Sequence, residues 1–151
     1  MEGGCTCGTI RYRLDDRPLI VHCCHCTWCQ RETGSAFVIN IMIESARVAL
    51  LSGQPELVHT PSASGRGQKI MCCPTCKVAL WSHYSQDAFA FVRVGTLDDP
   101  NAAPPDVHIF TSTKQDWVVL PEGARVFREY YDVPSVWSEE SRVRARVARA
   151  G

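Results

Sequence analysis

The sequence has no surplus of charge of either sign. In its 151 residues, lysine plus arginine total 16 and aspartate plus glutamate total 16, so the formal net charge is zero. Domains that bind nucleic acid usually carry a clear positive excess, which attracts the phosphate backbone. The charge balance therefore predicts no nucleic-acid partner.

Long apolar segments are also missing from the sequence. The longest runs, such as residues 36–43, have the length of a strand, and Asn40 interrupts this one. A membrane-spanning helix needs about 20 apolar residues, so we expect no membrane partner. The first residues have neither the basic segment nor the apolar core of a secretory signal. We therefore expect a cytoplasmic protein, whose thiols stay reduced.

Internal repeats, low-complexity blocks and linkers are lacking as well, and the length suits one domain. Short segments rich in β-branched and aromatic residues alternate with prolines and glycines, which is typical of a mostly-β domain. Strands are predicted at residues 9–14, 19–23, 36–43, 48–51, 57–60, 68–72, 78–84, 88–94, 107–111 and 117–120. A short helical turn is predicted at residues 28–32. Trp28, Phe37 and Trp117 are expected to lie in the core.

The last residues differ from the rest in composition. We divide the chain into a domain at residues 1–137 and a basic helix or tail at residues 138–151. Ser138 can cap a helix whose first turn contains Glu139 and Glu140 and whose last turn contains arginine, as the helix dipole favours. We expect a solvated helix or a frayed tail here, and a basic contact surface for a partner is the alternative.

Cysteine, in contrast, is abundant, and the sequence contains nine of them. An odd number in a reducing compartment favours metal binding or thiol chemistry over a closed set of disulfides. Cysteines two apart in an extended segment point to the same side, and C-x-x-C joins two thiolates in one turn. The first spacing gives the pairs Cys5/Cys7 and Cys24/Cys26, and the second gives Cys26/Cys29 and Cys73/Cys76. The remaining Cys23 and Cys72 would point away, as small buried hydrophobes.

The pairs add up to one set of four ligands and one set of three. Four thiolates close a structural zinc site, whereas three leave one position open, as in catalytic zinc sites. The set of four is Cys5, Cys7, Cys73 and Cys76, and the set of three is Cys24, Cys26 and Cys29. Cys23 or His25 could instead close the second set, or its C-x-x-C could be a redox pair. Ligation by sulfur alone favours zinc over an iron–sulfur cluster, with two ions per chain.

Recognisable motifs run along residues 3–130. They are GGCTCGTIRY at residues 3–12, CHCTWCQR at 24–31, GSAF at 34–37, CPTC at 73–76, GTLDDP at 95–100, PDVHIF at 105–110 and DW at 116–117. Together they resemble the glutathione-dependent formaldehyde-activating enzyme (GFA) family. One departure is Lys77, which stands where the family usually has a glycine after the third motif.

The resemblance implies a fold, two metal sites and an activity. The fold would be Mss4-like, with packed antiparallel sheets held by a structural zinc on the set of four cysteines. The second zinc, on Cys24, Cys26 and Cys29, would be catalytic. The implied reaction is condensation of formaldehyde with glutathione by a carbon–sulfur lyase, so the partners would be a small thiol and an aldehyde. A non-catalytic, zinc-stapled binding module of Mss4-like fold is the alternative.

Glutathione carries two carboxylates, so its site needs cationic or amide donors. We expect Arg31, Gly34 and Ser35, which follow the second motif, to bind the substrate. Arg31 could instead be solvated or paired with Glu32. Gly34 is expected to have a positive φ that ends the local turn. His108 is expected to be a hydrogen-bonded histidine within an apolar strand, with proton transfer as the alternative.

Overall fold

Two β-sheets and three helices make up the computed structural model, which describes residues 1–62, 64–84 and 87–150. The strands are β1 Glu2–Gly4, β2 Arg11–Leu14, β3 Ile20–Cys24, β4 Val38–Glu44, β5 Val48–Ser52, β6 Glu56–Thr60, β7 Gln68–Cys72, β8 Ala79–His83, β9 Phe89–Arg93 and β10 Val107–Ile109. The helices are α1 Thr27–Thr33, α2 Val133–Val136 and α3 Glu139–Ala150. The predicted mostly-β class and C-terminal helix are confirmed. Within the described ranges, no helix is both long enough and apolar enough to cross a membrane.

The two sheets differ in size and in strand direction. The small sheet has the order β1-β2-β5 and is antiparallel, whereas the large sheet has the order β10-β3-β4-β9-β8-β7-β6. Its neighbouring strands are antiparallel except at one edge, where β10 runs parallel to β3 and His108 pairs with Cys23. Parallel neighbours need a long crossover, and here most of the chain separates the two strands. The expected antiparallel pairing therefore holds except at this edge.

Residues 117–120, which were predicted as a strand, have no regular secondary structure. The outer edge of β10 is occupied instead by the later segment around Val126, which forms a bridge with His108. Trp117 is 72% exposed, so the prediction that it lies in the core is wrong. Trp28 and Phe37 are half-buried.

The core lies on both faces of the large sheet because side chains alternate along its strands. On one face, Val21 and Ile41 pack with Tyr12 of the small sheet. On the other face, Ile20 packs with Trp137 and with the C-terminal part of the chain. Consecutive residues of β3 therefore face different surroundings, and this alternation separates the cysteines that follow.

One side of α3 is docked on the large sheet. The Ser141 amide donates to the Ser138 hydroxyl at 3.0 Å, as predicted for the cap, and the Ser141 hydroxyl donates to the Leu19 carbonyl at 2.9 Å. Arg144 donates to both carboxylate oxygens of Glu44, at 2.9 and 2.7 Å. The helix is therefore neither frayed nor solvated on all sides. A domain boundary at residue 137 stays a prediction.

We expect the Glu44–Arg144 pair to stabilise the fold in a pH-dependent way. Burial would raise the pKa of Glu44, but the hydrogen bonds from Arg144 bring that pKa below its ordinary value of 4.5. Because the folded-state pKa is the lower one, the stabilisation is complete above the unfolded pKa and is lost as the pH falls through the folded one. Arg144→Met should reduce the free energy of unfolding in urea by about 1.5–3 kcal/mol at pH 7.

Arg146→Met is the matched control, since Arg146 is exposed on the same helix. Low pH also protonates thiolates, so the readout is the difference between the two variants at each pH. This difference should shrink as the pH falls below 4.5, the ordinary pKa at which Glu44 of the unfolded chain takes up a proton, and disappear below the lower folded-state pKa. If both variants lost the same free energy of unfolding at pH 7, the result would contradict a stabilising role for the Glu44–Arg144 pair.

Candidate metal centre and thiol cavity

Four thiols from two distant segments meet in the structure. The sulfur atoms of Cys5, Cys7, Cys73 and Cys76 all lie within 4.8 Å of one another. The Cys5 and Cys7 sulfurs are 3.4 Å apart, and the Cys7 and Cys73 sulfurs are 3.6 Å apart. Zinc–sulfur bonds of ~2.3 Å in a tetrahedron put the sulfurs about 3.8 Å apart. The predicted set of four is thus brought together, and its donors fit a zinc ion.

A tight turn builds the N-terminal half of this cluster. The Cys5 amide donates to the Ile10 carbonyl at 3.1 Å, and the Gly8 amide donates to the Cys5 carbonyl at 3.1 Å. The Ile10 amide in turn points at the Cys5 sulfur, 3.3 Å away. Cys5 and Cys7 therefore converge within a turn, and the expectation of an extended segment is wrong here.

The C-x-x-C knuckle builds the other half. The Cys76 amide lies 3.5 Å from the Cys73 sulfur, and the Lys77 amide donates to the Cys73 carbonyl at 3.0 Å. Lys77 has a φ of 62°, a conformation that glycine adopts without strain. This explains why a glycine suits the position and why Lys77 is a departure. Its ammonium group is bonded to Glu56 at 2.8 Å.

Three further thiols gather where β3 ends and α1 begins. The sulfur atoms of Cys24, Cys26 and Cys29 all lie within 4.8 Å of one another. Cys26 is the N-cap of α1, and its sulfur accepts a hydrogen bond from the Cys29 amide at 3.3 Å. Gly34 ends the helix with a φ of 64°, which confirms the predicted positive φ. The predicted set of three is therefore assembled by a strand end and one helical turn.

Neither of the residues that could have closed this set lies in it. The side chains of Cys23 and His25 gather with His108 in a separate group. This separation follows from the alternation along β3, which turns Cys23 and Cys24 to opposite faces of the sheet. Cys24, Cys26 and Cys29 are left as a group of three possible metal ligands.

The three thiols of this group do not ionise alike. Hydrogen bonds with the thiols of Cys24 and Cys29 lower the pKa of Cys26. The pKa of Cys24 is raised, first of all by the hydrogen bond with Cys26, and that of Cys29 is raised by hydrogen bonds with both neighbours. Cys26 is therefore the first to form a thiolate. A bound cation would favour the thiolate of all three, since metal ligands must be deprotonated.

A cavity of about 820 Å³ adjoins the three thiols. Aromatic side chains form much of its wall, namely Trp28, Tyr84, Phe91, Phe110 and Tyr130. Its charged residues are two arginines, Arg66 from the β6–β7 connection and Arg149 from α3, and one carboxylate, Glu129. The guanidinium of Arg149 lies 5.3 Å from the centre of the Phe89 ring. The cavity therefore combines sulfur ligands, apolar walls and positive charge.

The residues that we expected to bind the substrate line a different cavity. Arg31, Gly34 and Ser35 surround a space of about 750 Å³, together with Trp117. Within the part of the chain that the structure describes, Arg31 is not among the residues lining the thiol cavity. A contact between these three residues and the substrate stays a prediction.

Arg93 is a buried residue that sequence reasoning missed. It is 6% exposed and donates to the Asn40 amide oxygen at 2.6 Å and to the Glu32 carboxylate. Since Glu32 lies on α1, this ion pair ties the helix that carries Cys29 to β4 and β9. The signal in the sequence is a single arginine within the otherwise apolar run at residues 88–94.

The family to which the chain belongs follows from a comparison with models of known protein families. The sequence model described as "Glutathione-dependent formaldehyde-activating enzyme" matches residues 1–113. The chain belongs to this family. Both cysteine sets lie inside the matched segment, whereas Arg149 of the thiol cavity lies outside it. The resemblance drawn from the motifs is thereby confirmed.

Two known proteins are similar to this GFA family member. A Halomonas elongata protein named "Putative glutathione-dependent formaldehyde-activating enzyme" is 26% identical over 143 residues, which cover 87% of this chain and 89% of that protein. The crystal structure of a Rhodobacter sphaeroides protein aligns with a TM-score of 0.51 and 18% identity, covering 84% of this chain and 99% of that one. This second likeness shows the fold alone.

Proposed function

We propose that the chain is a zinc-dependent carbon–sulfur lyase that condenses formaldehyde with glutathione. The observation that carries the proposal is the cavity of about 820 Å³, in which three thiols meet aromatic walls and two arginines. In the reaction, the thiol sulfur bonds to the aldehyde carbon, and the thiol proton ends on the aldehyde oxygen. The addition needs no oxidant or reductant. It needs a thiol that loses its proton and an aldehyde held beside it.

The ligands for the catalytic ion would be Cys24, Cys26 and Cys29. A zinc ion with three protein ligands supplies an open position that can lower the pKa of a thiol or polarise an aldehyde oxygen. Cys24 and Cys29 are 6% and 4% exposed, so the wall of the cavity shields their sulfurs from water. The set of four cysteines would hold the structural zinc, which makes two ions of this kind per chain.

The carboxylates of glutathione would be bound by the arginines of the cavity. A guanidinium pairs with a carboxylate through charge-assisted hydrogen bonds. Arg149 approaches the cavity from α3, which is docked through the Glu44–Arg144 pair. Because Arg149 lies beyond the family-matched segment, it would adjust the thiol specificity of this particular chain. Arg31 in the neighbouring cavity is the competing candidate from the sequence.

A non-catalytic binding module is less well supported. Such a module would use the second cluster as a closed structural centre, which requires a fourth protein ligand. Cys23 and His25, the two candidates, gather with His108 instead. A cytoplasmic location stays a prediction that agrees with a reduced thiol as substrate.

Calorimetry with glutathione tests the function and distinguishes the two arginines. The zinc-loaded protein should bind glutathione and accelerate formation of the formaldehyde adduct, followed by NMR with labelled formaldehyde. Arg149→Gln should weaken glutathione binding about tenfold, which corresponds to ~1.4 kcal/mol for one charge-assisted contact. Arg31→Gln should leave the affinity unchanged.

Arg146→Gln is the control for Arg149, since it removes an exposed charge from the same helix. Glutathione with esterified carboxylates should bind equally to the wild type and to Arg149→Gln. Failure of the wild type to bind glutathione would overturn the proposed substrate. A tenfold loss in Arg31→Gln and none in Arg149→Gln would move the carboxylate contact to the neighbouring cavity.

A further inference from the structure

A third group of possible metal ligands lies apart from both cysteine sets. The Sγ of Cys23, the Nε2 of His25 and the Nδ1 of His108 all lie within 4.8 Å of one another. Cys23 Sγ is 3.5 Å from His25 Nε2, which is 3.0 Å from His108 Nδ1. A soft sulfur and two imidazole nitrogens are a donor set that suits zinc and similar divalent ions.

The fold brings these three residues together by strand pairing. In the parallel pair of β3 and β10, His108 lies beside Cys23. His25 follows Cys23 by two residues, so in an extended segment it faces the same side. Cys24 and Cys26 face the opposite side, toward the thiol cavity. The two ligand groups therefore share one segment but occupy opposite faces of it.

The backbone of His25 is fixed before any ligand binds. Its amide donates to the Ile109 carbonyl at 3.0 Å. Its carbonyl accepts hydrogen bonds from the Gln30 side-chain amide at 2.7 Å and from the Thr113 hydroxyl at 3.1 Å. These contacts come from α1 and from the segment after β10. They fix the backbone from which the imidazole extends, which reduces the entropy lost when a ligand binds.

The imidazole of His25 is buried without the usual oxygen partners. His25 is 0% exposed and Cys23 is 2% exposed. Among the described residues, the ring of His25 has polar contacts with Cys23 and His108, and its Nδ1 has no hydrogen-bond partner. The 3.0 Å between His25 Nε2 and His108 Nδ1 is the length of a hydrogen bond between the two imidazoles. The same two nitrogens, facing each other beside the Cys23 thiol, are also placed to bind one ion in the absence of that proton.

All three residues line a cavity of about 710 Å³ on this face of the sheet. The rest of its wall comes from Phe37 and Ile39, from residues 104–106, which include Asp106, and from residues 118–125. This cavity is distinct from the one beside Cys24, Cys26 and Cys29 in its lining residues. A fourth position on an ion held by the three side chains would open into it.

We propose that Cys23, His25 and His108 form a third metal site, which takes a zinc-like divalent cation. Zinc–ligand bonds of ~2.1 Å to nitrogen and ~2.3 Å to sulfur put tetrahedral ligands about 3.4 Å apart for two nitrogens and about 3.6 Å apart for nitrogen and sulfur. The nitrogen–sulfur separation of 3.5 Å is close to this value. The nitrogen–nitrogen separation of 3.0 Å would have to lengthen by about 0.4 Å when an ion binds. Three protein ligands leave the fourth position exchangeable. Cys23 is then a ligand, where the sequence had suggested a buried hydrophobe.

Cobalt titration of the full-length protein tests this site without an activity assay. A mild chelator first removes the loosely held ions and leaves the ion on the four cysteines. The wild type should then take up two equivalents of Co²⁺. Cys26→Ser should take up one, with the charge-transfer absorption of a single thiolate. His108→Gln should also take up one, with the stronger absorption of three thiolates. The weak thiolate absorption of Cys26→Ser and the strong one of His108→Gln identify which site holds the cobalt in each variant.

Matched controls and a second measurement keep the test decisive. His59→Gln and Cys72→Ala change a histidine and a cysteine outside all three groups, and both should take up two equivalents. X-ray absorption of the cobalt in Cys26→Ser should show imidazole scattering, whether or not His108→Gln folds. A Cys26→Ser variant that takes up no cobalt, or whose cobalt shows no imidazole scattering, would overturn the third site. A His108→Gln variant that takes up none, beside a Cys26→Ser variant that takes up one equivalent, would support the third site and overturn the three-cysteine site of the proposed function.

Discussion

Cys76→Ser is expected to unfold the protein. Structural zinc sites contribute ~10 kcal/mol or more in apparent binding free energy, and a domain of this size is stable by only about 5–15 kcal/mol. Loss of one thiolate from the set of four should therefore remove most of the native stability. Circular dichroism should show loss of the β-sheet signal, and the zinc content should fall by at least one ion per chain.

The size of this effect follows from what the four cysteines connect. Cys5 and Cys7 lie between β1 and β2 of the small sheet, and Cys73 and Cys76 lie between β7 and β8 of the large one. An ion at this position would join the two sheets through ligands as far apart in sequence as Cys7 and Cys73, whose residue numbers differ by 66. Without it, the sheets are held by packing around residues such as Tyr12 and by a few contacts such as the Gly3–Leu97 bridge.

Cys72→Ser is the matched control for this experiment. Cys72 is adjacent to the knuckle and half-buried, and it lies outside the three groups of possible ligands that the described residues form. The Cys72→Ser protein should lose little stability and no zinc. A folded Cys76→Ser protein with its full zinc content would contradict the structural role of the four cysteines.

Cys26→Ser is expected to abolish the proposed activity while the protein stays folded. The variant removes one of three ligands at the thiol cavity, so it should lose the ion that activates the thiol. Metal-assisted activation of a nucleophile accounts for several kcal/mol of rate acceleration, so the rate of adduct formation should fall at least ~100-fold. The ion on the four cysteines should remain, and the metal content should fall by one ion per chain.

The contrast between the two variants separates function from folding. Cys26 lies at the start of a short helix on the opposite side of the large sheet from the small-sheet core, and it is half-buried. Its replacement should leave the β-sheet signal and the urea midpoint close to those of Cys72→Ser. An unchanged metal content in Cys26→Ser would exclude a metal at this set. An unchanged rate with one ion lost would exclude the role of that ion in the reaction.

The cysteine spacings predicted both ligand sets because the geometry of a knuckle is local. Two residues in C-x-x-C are brought together by a single turn, as Cys73 and Cys76 are, and this needs no knowledge of the rest of the chain. The expected positive φ of Gly34 is local in the same way. The reason that the family usually has a glycine at position 77 was not apparent from the sequence. The structure supplies it, because Lys77 has a φ of 62°, which glycine adopts without strain.

Long-range pairing accounts for what the sequence did not predict. The parallel pairing of β10 with β3 aligns His108 with Cys23 across more than 80 residues, and no periodicity in either segment signals it. The same edge is occupied by the segment around Val126, so that Trp117 is left exposed. Arg149 reaches the thiol cavity because Arg144 of the same helix is anchored on Glu44.

Composition, motifs and cysteine spacing predicted the fold class, the family and the grouping of seven cysteines into sets of four and three. These features depend on composition and on spacings within a turn, which a short segment sets on its own. Folding of the whole chain brings Arg66 and Arg149 into one cavity with the thiols and places Cys23 and His25 beside His108, and neither arrangement could be predicted from spacing. Such neighbours are selected by strand register and helix docking, and those depend on the free energy of burying the whole core.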